Sequence, residues 1–174
     1  MALQRVPSRI RWGVDLMDVA PGDSMLEIGC GPGHAAGLVC VQLAKGKGKL
    51  FAIDRAESGV DRTRRRNQRH VDEGRLTVRQ IDLATLRVPV RRLDKTFAVN
   101  VNLFWVRDCA DELALLRERR KPGGRLFLFY DAARADQVSP ARQAASQALE
   151  DSGFEVEVVE NPNPPVLALV ATRR

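Results

Sequence analysis

The stretch LEIGCGPGH at residues 26–34 decides the fold prediction, because a short apolar strand runs directly into a turn with glycine at alternate positions. Glycine has no Cβ atom and adopts positive φ angles readily, so Gly29, Gly31 and Gly33 allow a tight turn and let a ligand approach the backbone closely. The apolar pattern over residues 35–45 predicts a helix after this turn. The stretch therefore predicts a strand, a ligand-binding turn and a helix.

Seven strands are predicted along the chain, and helices separate most of them. The strands lie at residues 25–28, 50–53, 75–81, 96–101, 125–130, 154–159 and 166–171. The helices lie at residues 8–20 with Ser8 as N-cap, 35–45, 57–71, 110–120 and 140–152, the last with Ser139 as N-cap and Pro140 in the first helical position. No helix separates the last two strands, so they should form an antiparallel hairpin. The pattern predicts an α/β fold, a doubly wound, mostly parallel seven-stranded sheet with an antiparallel last strand and helices on both faces.

Length and composition indicate one globular domain over residues 1–174, with residues 8–20 as an N-terminal lid helix. No apolar run reaches the roughly 18 residues of a membrane span, and the N-terminus has no apolar signal core. The cysteines at positions 30, 40 and 109 lack the paired spacing of a zinc site, so we expect reduced thiols and no metal. A cytoplasmic protein without a membrane partner is expected.

The positive charge of the chain is concentrated in one segment. The chain carries 28 basic and 22 acidic residues, and eleven arginines against five acidic residues lie between Arg55 and Arg92. An arginine-rich helix could bind RNA through phosphate contacts. No aromatic stacking residues are interleaved with these arginines, so a solvated helix face is favoured over a nucleic-acid partner.

Two acidic residues follow neighbouring strands, at the edge where open α/β sheets bind their ligands. Asp54 comes about twenty residues after Gly33, the separation typical of an acid that accepts hydrogen bonds from ribose hydroxyls. Asp82 follows the third strand and can accept from an adenine amine, with Leu83 or Ile81 near the base. The pattern indicates a nucleoside ligand.

Four motifs in this order resemble those of class I S-adenosylmethionine-dependent methyltransferases. LEIGCGPG at residues 26–33 is similar to the family's glycine motif, and AIDR at residues 52–55 is similar to its ribose-binding acidic motif. IDL at residues 81–83 resembles the motif on the adenine side, and KPGGRL at residues 121–126 resembles the turn into the fifth strand. The resemblance implies a Rossmann-like methyltransferase fold, S-adenosylmethionine as the cofactor and methyl transfer as the reaction.

The resemblance also implies which residues bind the cofactor. The methionine portion would lie against the three glycines with Glu27 behind the loop, the ribose would lie at the second strand, and the adenine would lie at the third. The residues implied are Glu27, Gly29, Gly31, Gly33, Asp54, Arg55, Asp82 and Leu83, with Asn100 near the cofactor's amino end.

Two other functions are compatible with parts of the pattern. GPGHAA at residues 31–36 satisfies the G-x-G-x-x-A pattern of nicotinamide-dependent oxidoreductases. However, Pro32 removes an amide donor where a pyrophosphate needs one, and Glu27 adds negative charge there. A protein that binds the cofactor without catalysis also stays open, because methyl transfer mainly needs in-line placement and leaves little sequence signal.

The acceptor is expected to be a small molecule, because no inserted substrate cap follows the fifth strand. If a base is needed, His34, Tyr130 and Asp131 are the candidates at the strand ends. Asn102 and Trp105 are candidate substrate contacts, although NLFW at residues 102–105 lacks both prolines of the Asn/Asp-Pro-Pro-Tyr motif of amine methyltransferases. With so little enclosing material, either the acceptor is small or a second subunit of a homodimer helps to close the site.

Overall fold

The computed structural model describes residues 6–85, 92–131 and 135–173 of the chain. The strands are β1 (Ser24–Ile28), β2 (Lys49–Asp54), β3 (Leu76–Gln80), β4 (Leu93–Val99), β5 (Arg120–Asp131), β6 (Phe154–Pro162) and β7 (Pro165–Arg173). The helices are α1 (Ser8–Met17), α2 (His34–Leu43), α3 (Glu57–Arg66), α4 (Gln68–Asp72), α5 (Leu103–Val106), α6 (Ala110–Arg119) and α7 (Ala135–Asp151), with a 3₁₀ turn at Leu83–Thr85. None of the described helices combines the length and the apolar composition needed to cross a membrane.

The seven strands form one sheet in the order β3-β2-β1-β4-β5-β7-β6. Neighbouring strands are parallel except at β7, which is antiparallel to both β5 and β6. The predicted fold class and the predicted hairpin are therefore confirmed. The chain order reverses direction between β1 and β4, and open α/β sheets bind ligands at this point, beyond the carboxyl ends of the strands.

Helices cover both faces of the sheet. One apolar cluster lies between the sheet and α1, α2 and α3, and the other lies between the sheet and α5, α6 and α7. Successive residues of a strand point to opposite faces, so Phe129 of β5 packs in the first cluster and Tyr130 in the second, which also contains Cys109 and Leu149. The side chain of Tyr130 therefore points away from α1 and α2.

Two predicted helix caps are wrong. Pro7 is the N-cap of α1 without a side-chain cap bond, and Ser8 is the first helical residue. α7 begins at Ala135, so Ser139 is not its N-cap and Pro140 lies inside the helix. Pro140 is the sixth residue of α7 and so lies beyond the first turn, where its missing N–H removes one hydrogen bond of the helix.

Four further features differ from the prediction. The helix predicted at residues 57–71 is divided at Asn67 into α3 and α4. β4 and β5 begin earlier than predicted, because the segment before each takes part in the sheet and pairs Leu93 with Arg120. α5 forms where no helix was predicted, and it buries Phe104 in the core.

Candidate functional site

A cleft of about 760 Å³ opens at the carboxyl ends of β1, β2 and β4, where ligands are expected in this fold. The glycine loop after β1, the 3₁₀ turn after β3, the loop after β4 and the start of α1 form its walls. It brings together eight of the nine predicted cofactor residues: Glu27, Gly29, Gly31, Asp54, Arg55, Asp82, Leu83 and Asn100.

The three glycines of the loop have positive φ angles but different surroundings. A Cβ atom at Gly29 would lie 2.6 Å from Cγ2 of Val101, so this glycine permits close packing against the loop after β4. A Cβ atom at Gly31 would meet nothing closer than 3.9 Å, so this position borders open space. A Cβ atom at Gly33 would lie 2.7 Å from Nδ2 of Asn67. Gly33 therefore packs against α3 and, unlike the prediction, does not line the cleft.

The inner face of α3 holds the carbonyl groups of this loop. The Thr63 hydroxyl donates to the carbonyl of Gly31 at 3.0 Å, and Nδ2 of Asn67 donates to the carbonyl of Gly33 at 2.9 Å. Both side chains are buried, at 0% and 5% exposure. The loop carbonyls are thereby engaged on the side of α3 and are turned away from the cleft.

Thr63 and Asn67 were not found from the sequence. Both are uncharged polar residues in a helix whose other polar positions are mostly charged, and their spacing of four residues places them on one helix face with Val60. That contrast is the signal that could have identified the face of α3 that packs against the loop.

Asp54, the last residue of β2, connects this strand to the glycine loop through a hydrogen bond. Its Oδ2 accepts a hydrogen bond from the backbone N–H of Gly31 at 2.9 Å, and its Oδ1 accepts one from Ala56 at 2.9 Å. Gly59 makes room for this carboxylate, because a Cβ atom there would lie 2.5 Å from Oδ2. A carboxylate has about four lone-pair sites, so the two remaining sites can accept bonds from a ligand.

Glu27 places a buried carboxyl group in the wall of the cleft. It is 3% exposed, and its Oε2 has no hydrogen-bond partner among the described residues. Burial, and to a smaller extent the charge of Asp54, raises the pKa of Glu27 to about 8. An unpartnered buried carboxyl group beside a second acid favours a cationic ligand, which would lower the cost of its ionisation.

Two further parts of the cleft wall are the 3₁₀ turn after β3 and Asn100 after β4. The carboxylate of Asp82 accepts from the backbone N–H of Ala84 at 3.1 Å, and Leu83 is buried beside it. Asn100 has a φ of 54°, and its side-chain oxygen accepts from the backbone N–H of Asp131 at 2.8 Å. The Asn100 side chain thus joins the ends of β4 and β5, and its backbone borders the cleft.

Of the three predicted bases, the structure brings only His34 into the cleft lining. Its Nδ1 is buried without a partner among the described residues, and burial together with the charges of Arg66 and Arg9 lowers the pKa of His34. The hydroxyl of Tyr130 lies in the core under α6 and α7, and burial raises its pKa. Asp131 pairs with Arg9 of α1 at 3.4 Å.

The predicted substrate residues are separated by the structure. Asn102 lines the cleft as the residue before α5, whereas Trp105 is 37% exposed and does not line it. The adjacent Leu103 and Val106 of α5 line the cleft instead. The helical repeat turns Trp105 away from the cleft, and the segment was predicted without a helix.

α1 both packs on the sheet and borders the cleft. Gly13 lies against Phe129, and the ring of Trp12 meets the ring of Phe129 edge-on with centroids 6.3 Å apart. At the start of the helix, Arg9 and Ile10 line the cleft. The packing of its middle therefore holds the first turn of α1 over the edge of the cleft.

A family model described as a methyltransferase domain matches residues 25–124, which include the glycine loop, Asp54 and Asp82. This chain belongs to that methyltransferase family. The match agrees with the resemblance seen in the sequence motifs, and S-adenosylmethionine is the cofactor. The alternative of a nicotinamide-dependent oxidoreductase is therefore set aside.

Two relatives share sequence with this methyltransferase. An uncharacterized methyltransferase of Bacillus subtilis, YdaC, is 27% identical over 173 residues, covering 94% of this chain and 90% of that protein. An uncharacterized 37.1 kDa protein in transposon TN4556 of Streptomyces fradiae is 32% identical over 115 residues, which cover 66% of this chain and 32% of that protein. The alignment therefore spans about a third of the length of the Streptomyces protein.

Solved methyltransferase structures share the fold. A SAM-dependent methyltransferase from Aquifex aeolicus superposes with a TM-score of 0.76 at 20% identity, covering 95% of this chain and 92% of that one. A precorrin-6y C5,15-methyltransferase from Geobacter metallireducens superposes with a TM-score of 0.74 at 16% identity, covering 100% and 94%. At these identities the likeness extends to the fold alone.

The residues of the cleft fit S-adenosylmethionine. The unpartnered carboxyl of Glu27 suits a cationic group, the open space at Gly31 lets a ligand approach the backbone, and Asp54 keeps free lone pairs for hydroxyl groups. The cleft volume also falls in the range of about 300–1,000 Å³ that is usual for ligand pockets.

Proposed function

We propose that this methyltransferase transfers the methyl group of S-adenosylmethionine to a small-molecule acceptor bound at the end of the cleft between α1 and α5. The observation that carries the proposal is a single continuous cleft whose lining includes Asp82 and Leu83 after β3, Ile10 of α1 and Val106 of α5. Because the same space must hold both cofactor and acceptor, a small acceptor is favoured.

The cofactor-binding roles follow from the chemistry of the cleft wall. We propose that Asp54 accepts hydrogen bonds from the ribose hydroxyls with Arg55 beside it. The adenine would lie next to Asp82 and Leu83. The methionine portion would cross Gly29 and Gly31, with Glu27 near its positive charge and the backbone of Asn100 near its amino group.

S-adenosylmethionine supplies a methyl group on a positively charged sulfur. The work of the protein is then to hold the acceptor in line with that methyl group, which can supply a large part of the rate. We place the acceptor against five residues that line the cleft, Arg9, Ile10, Asn102, Leu103 and Val106. Their aliphatic parts would exclude water and their polar groups would orient the acceptor.

His34 is the base that we propose for an acceptor that must lose a proton. It lines the cleft, and its lowered pKa keeps the imidazole neutral at pH 7, so a nitrogen lone pair is available. Tyr130 points into the core on the other side of the sheet and Asp131 is paired with Arg9, so neither has comparable support.

The basic segment gives little support to an RNA acceptor. Nη2 of Arg64 donates to the carbonyl of Val78 at 2.8 Å, and Nε of Arg66 donates to the carbonyl of Pro32 at 2.7 Å. Arg69 pairs with Glu73 at 2.9 Å. Three of the arginines of this segment thus have partners inside the protein and are less available for phosphate groups.

The first experiment is calorimetric titration with S-adenosylmethionine, S-adenosylhomocysteine and the oxidised and reduced nicotinamide dinucleotides. The second is incubation with methyl-labelled cofactor and a cell extract, followed by separation of small molecules from nuclease-sensitive and protease-sensitive material. Label in the small-molecule fraction supports the proposal, and label in nuclease-sensitive material overturns the acceptor class. Cofactor binding without any transfer would favour a non-catalytic binding protein.

A homodimer that closes the acceptor end and a cytoplasmic location are proposals of the same kind. Sedimentation of the cofactor-bound protein tests the first, with a monomer at all concentrations as the contrary result. Localisation of a tagged chain in the native host tests the second.

A further inference from the structure

Three arginines lie at the edge of the sheet opposite the cofactor cleft. Arg120 begins β5 and Arg173 ends β7, and Arg117 lies in the last turn of α6. Because β7 is antiparallel to β5, the start of β5 and the end of β7 meet at the same edge. The cleft lies at the carboxyl ends of the parallel strands, so this edge is remote from it.

The three side chains converge on Gly153 and Phe154. The guanidinium carbon of Arg120 lies 4.6 Å from the centre of the Phe154 ring. Arg173 is the direct register partner of Phe154 across β6 and β7, so the two side chains share one face of the sheet. Nη1 of Arg117 lies 3.2 Å from the place that a Cβ atom of Gly153 would occupy.

Several hydrogen-bond donor atoms of these arginines are buried without a partner among the described residues. Arg120 is 8% exposed, and its Nη1 donates to the carbonyl of Ala171 at 3.0 Å. Its Nε and Nη2, and Nε of Arg117, are buried without a partner in the part of the chain that the structure describes. Among residues 6–85, 92–131 and 135–173, no acidic side chain forms an ion pair with any of the three arginines.

The buried guanidinium of Arg120 keeps its charge at neutral pH. Burial, together with the charges of Arg173 and Arg117, lowers the pKa of Arg120 to about 10, which is still well above pH 7. A buried charge is costly unless it is paired. The contact with the Phe154 ring offsets only part of that cost.

We propose that Arg117, Arg120 and Arg173 bind a phosphate group at this edge of the sheet, in a site separate from the methyl-transfer cleft. A tetrahedral oxyanion accepts hydrogen bonds from several guanidinium groups at once, and arginine forks match its oxygen geometry. Arg173 is exposed and Arg117 is partly exposed, so an anion from solvent would meet these two side chains first, and a shift of the side chains around Arg120 would open its buried donors to the anion. The ligand is either free phosphate or the phosphate group of a larger molecule.

The test is thermal unfolding of the full chain with increasing inorganic phosphate, at an ionic strength held constant with sodium chloride. The unfolding midpoint should rise by about 5–10 °C when phosphate reaches a hundred times its dissociation constant. In Arg120→Met, which keeps most of the side-chain volume, phosphate affinity should fall by about 10- to 100-fold, the factor for a lost charge-assisted hydrogen bond. Arg62→Met, which removes an exposed arginine of α3, is the matched control and should respond to phosphate like the wild type.

Two further variants keep the test decisive if Arg120→Met does not fold. Arg117→Gln and Arg173→Gln alter more exposed side chains, and each should weaken phosphate binding in calorimetric titration. S-adenosylhomocysteine affinity should stay unchanged in all variants, which separates this site from the cofactor cleft. An equal response to glycerol phosphate identifies a phosphate group on a larger molecule, and a response to inorganic phosphate alone identifies the free ion. No phosphate-dependent shift in the wild type, or an equal shift in Arg120→Met, overturns the proposal.

Discussion

Replacing Glu27 with glutamine is expected to stabilise the ligand-free protein and to weaken its binding of S-adenosylmethionine. Burial, with a smaller effect of the charge of Asp54, raises the pKa of this carboxyl group from 4.5 to about 8 in the folded protein. The folded state therefore binds this proton more tightly, and the wild type loses about 1.4 kcal/mol of stability per pH unit as the pH rises through that interval. The loss between pH 5 and pH 8 amounts to about 3 to 4 kcal/mol. Glutamine does not ionise, so the free energy of unfolding of the variant does not fall with pH for this reason.

The assay is denaturant unfolding of wild type and Glu27→Gln between pH 5 and pH 8. The free energies of unfolding of the two proteins should be similar at pH 5 and diverge in favour of the variant as the pH rises. Glu118→Gln, which removes an exposed carboxylate of α6, is the matched control and should follow the wild type. Calorimetry at pH 7 should show at least about tenfold weaker cofactor binding for Glu27→Gln. A stability difference that is constant with pH, or an unchanged cofactor affinity, would refute the reasoning.

Three more substitutions test the remaining parts of the site. Asp54→Ala should weaken S-adenosylmethionine binding by about 1–3 kcal/mol in calorimetry, because it removes an acceptor for the ligand and the bond to the Gly31 amide; an unchanged affinity in a folded variant would contradict its role. Asn67→Ala should weaken cofactor binding by about tenfold, because the Gly33 carbonyl loses its donor; a lower melting temperature with unchanged affinity would limit Asn67 to a structural role. The methylation rate should fall only below about pH 6.5 in the wild type, since the pKa of His34 is lowered and the base must be neutral. This fall in rate at low pH should be absent in His34→Gln. If it persists in that variant, His34 is not the base.

Most of the fold could be predicted because strand and helix periodicities alternate clearly along the chain. The errors fall where a local signal competes with tertiary contacts. Pro140 after a serine is a strong helix-start signal, yet α7 begins five residues earlier. Asn67 ends α3 because its side chain bonds to the glycine loop, a contact 34 residues away that no local pattern reveals. Capping propensities are worth only about 1 kcal/mol, so packing readily overrides them.

The cofactor end of the site was predictable because backbone motifs determine it, whereas the acceptor end was not. Gly33 belongs to the same motif as Gly31, but only the neighbouring helix reveals that it serves packing instead of the cleft. Strand alternation could have identified Tyr130 as a poor base, since Phe129 and Tyr130 point to opposite faces of β5. The direction of Trp105 depended on α5, which is too short to be seen in the hydrophobic pattern.

The distribution of arginine along the chain gives a misleading picture of where an anion would bind. The densest basic segment includes Arg64 and Arg66, whose guanidinium groups are hydrogen-bonded to backbone carbonyls of the protein itself. The arginines with buried, unused donors lie outside that segment, at Arg117 and Arg120, and are brought together only by the sheet. Solvent compensates an exposed charge at little cost, but it does not reach a buried one. Burial without a counter-charge is therefore better evidence for a bound anion than the number of basic residues in a stretch of sequence.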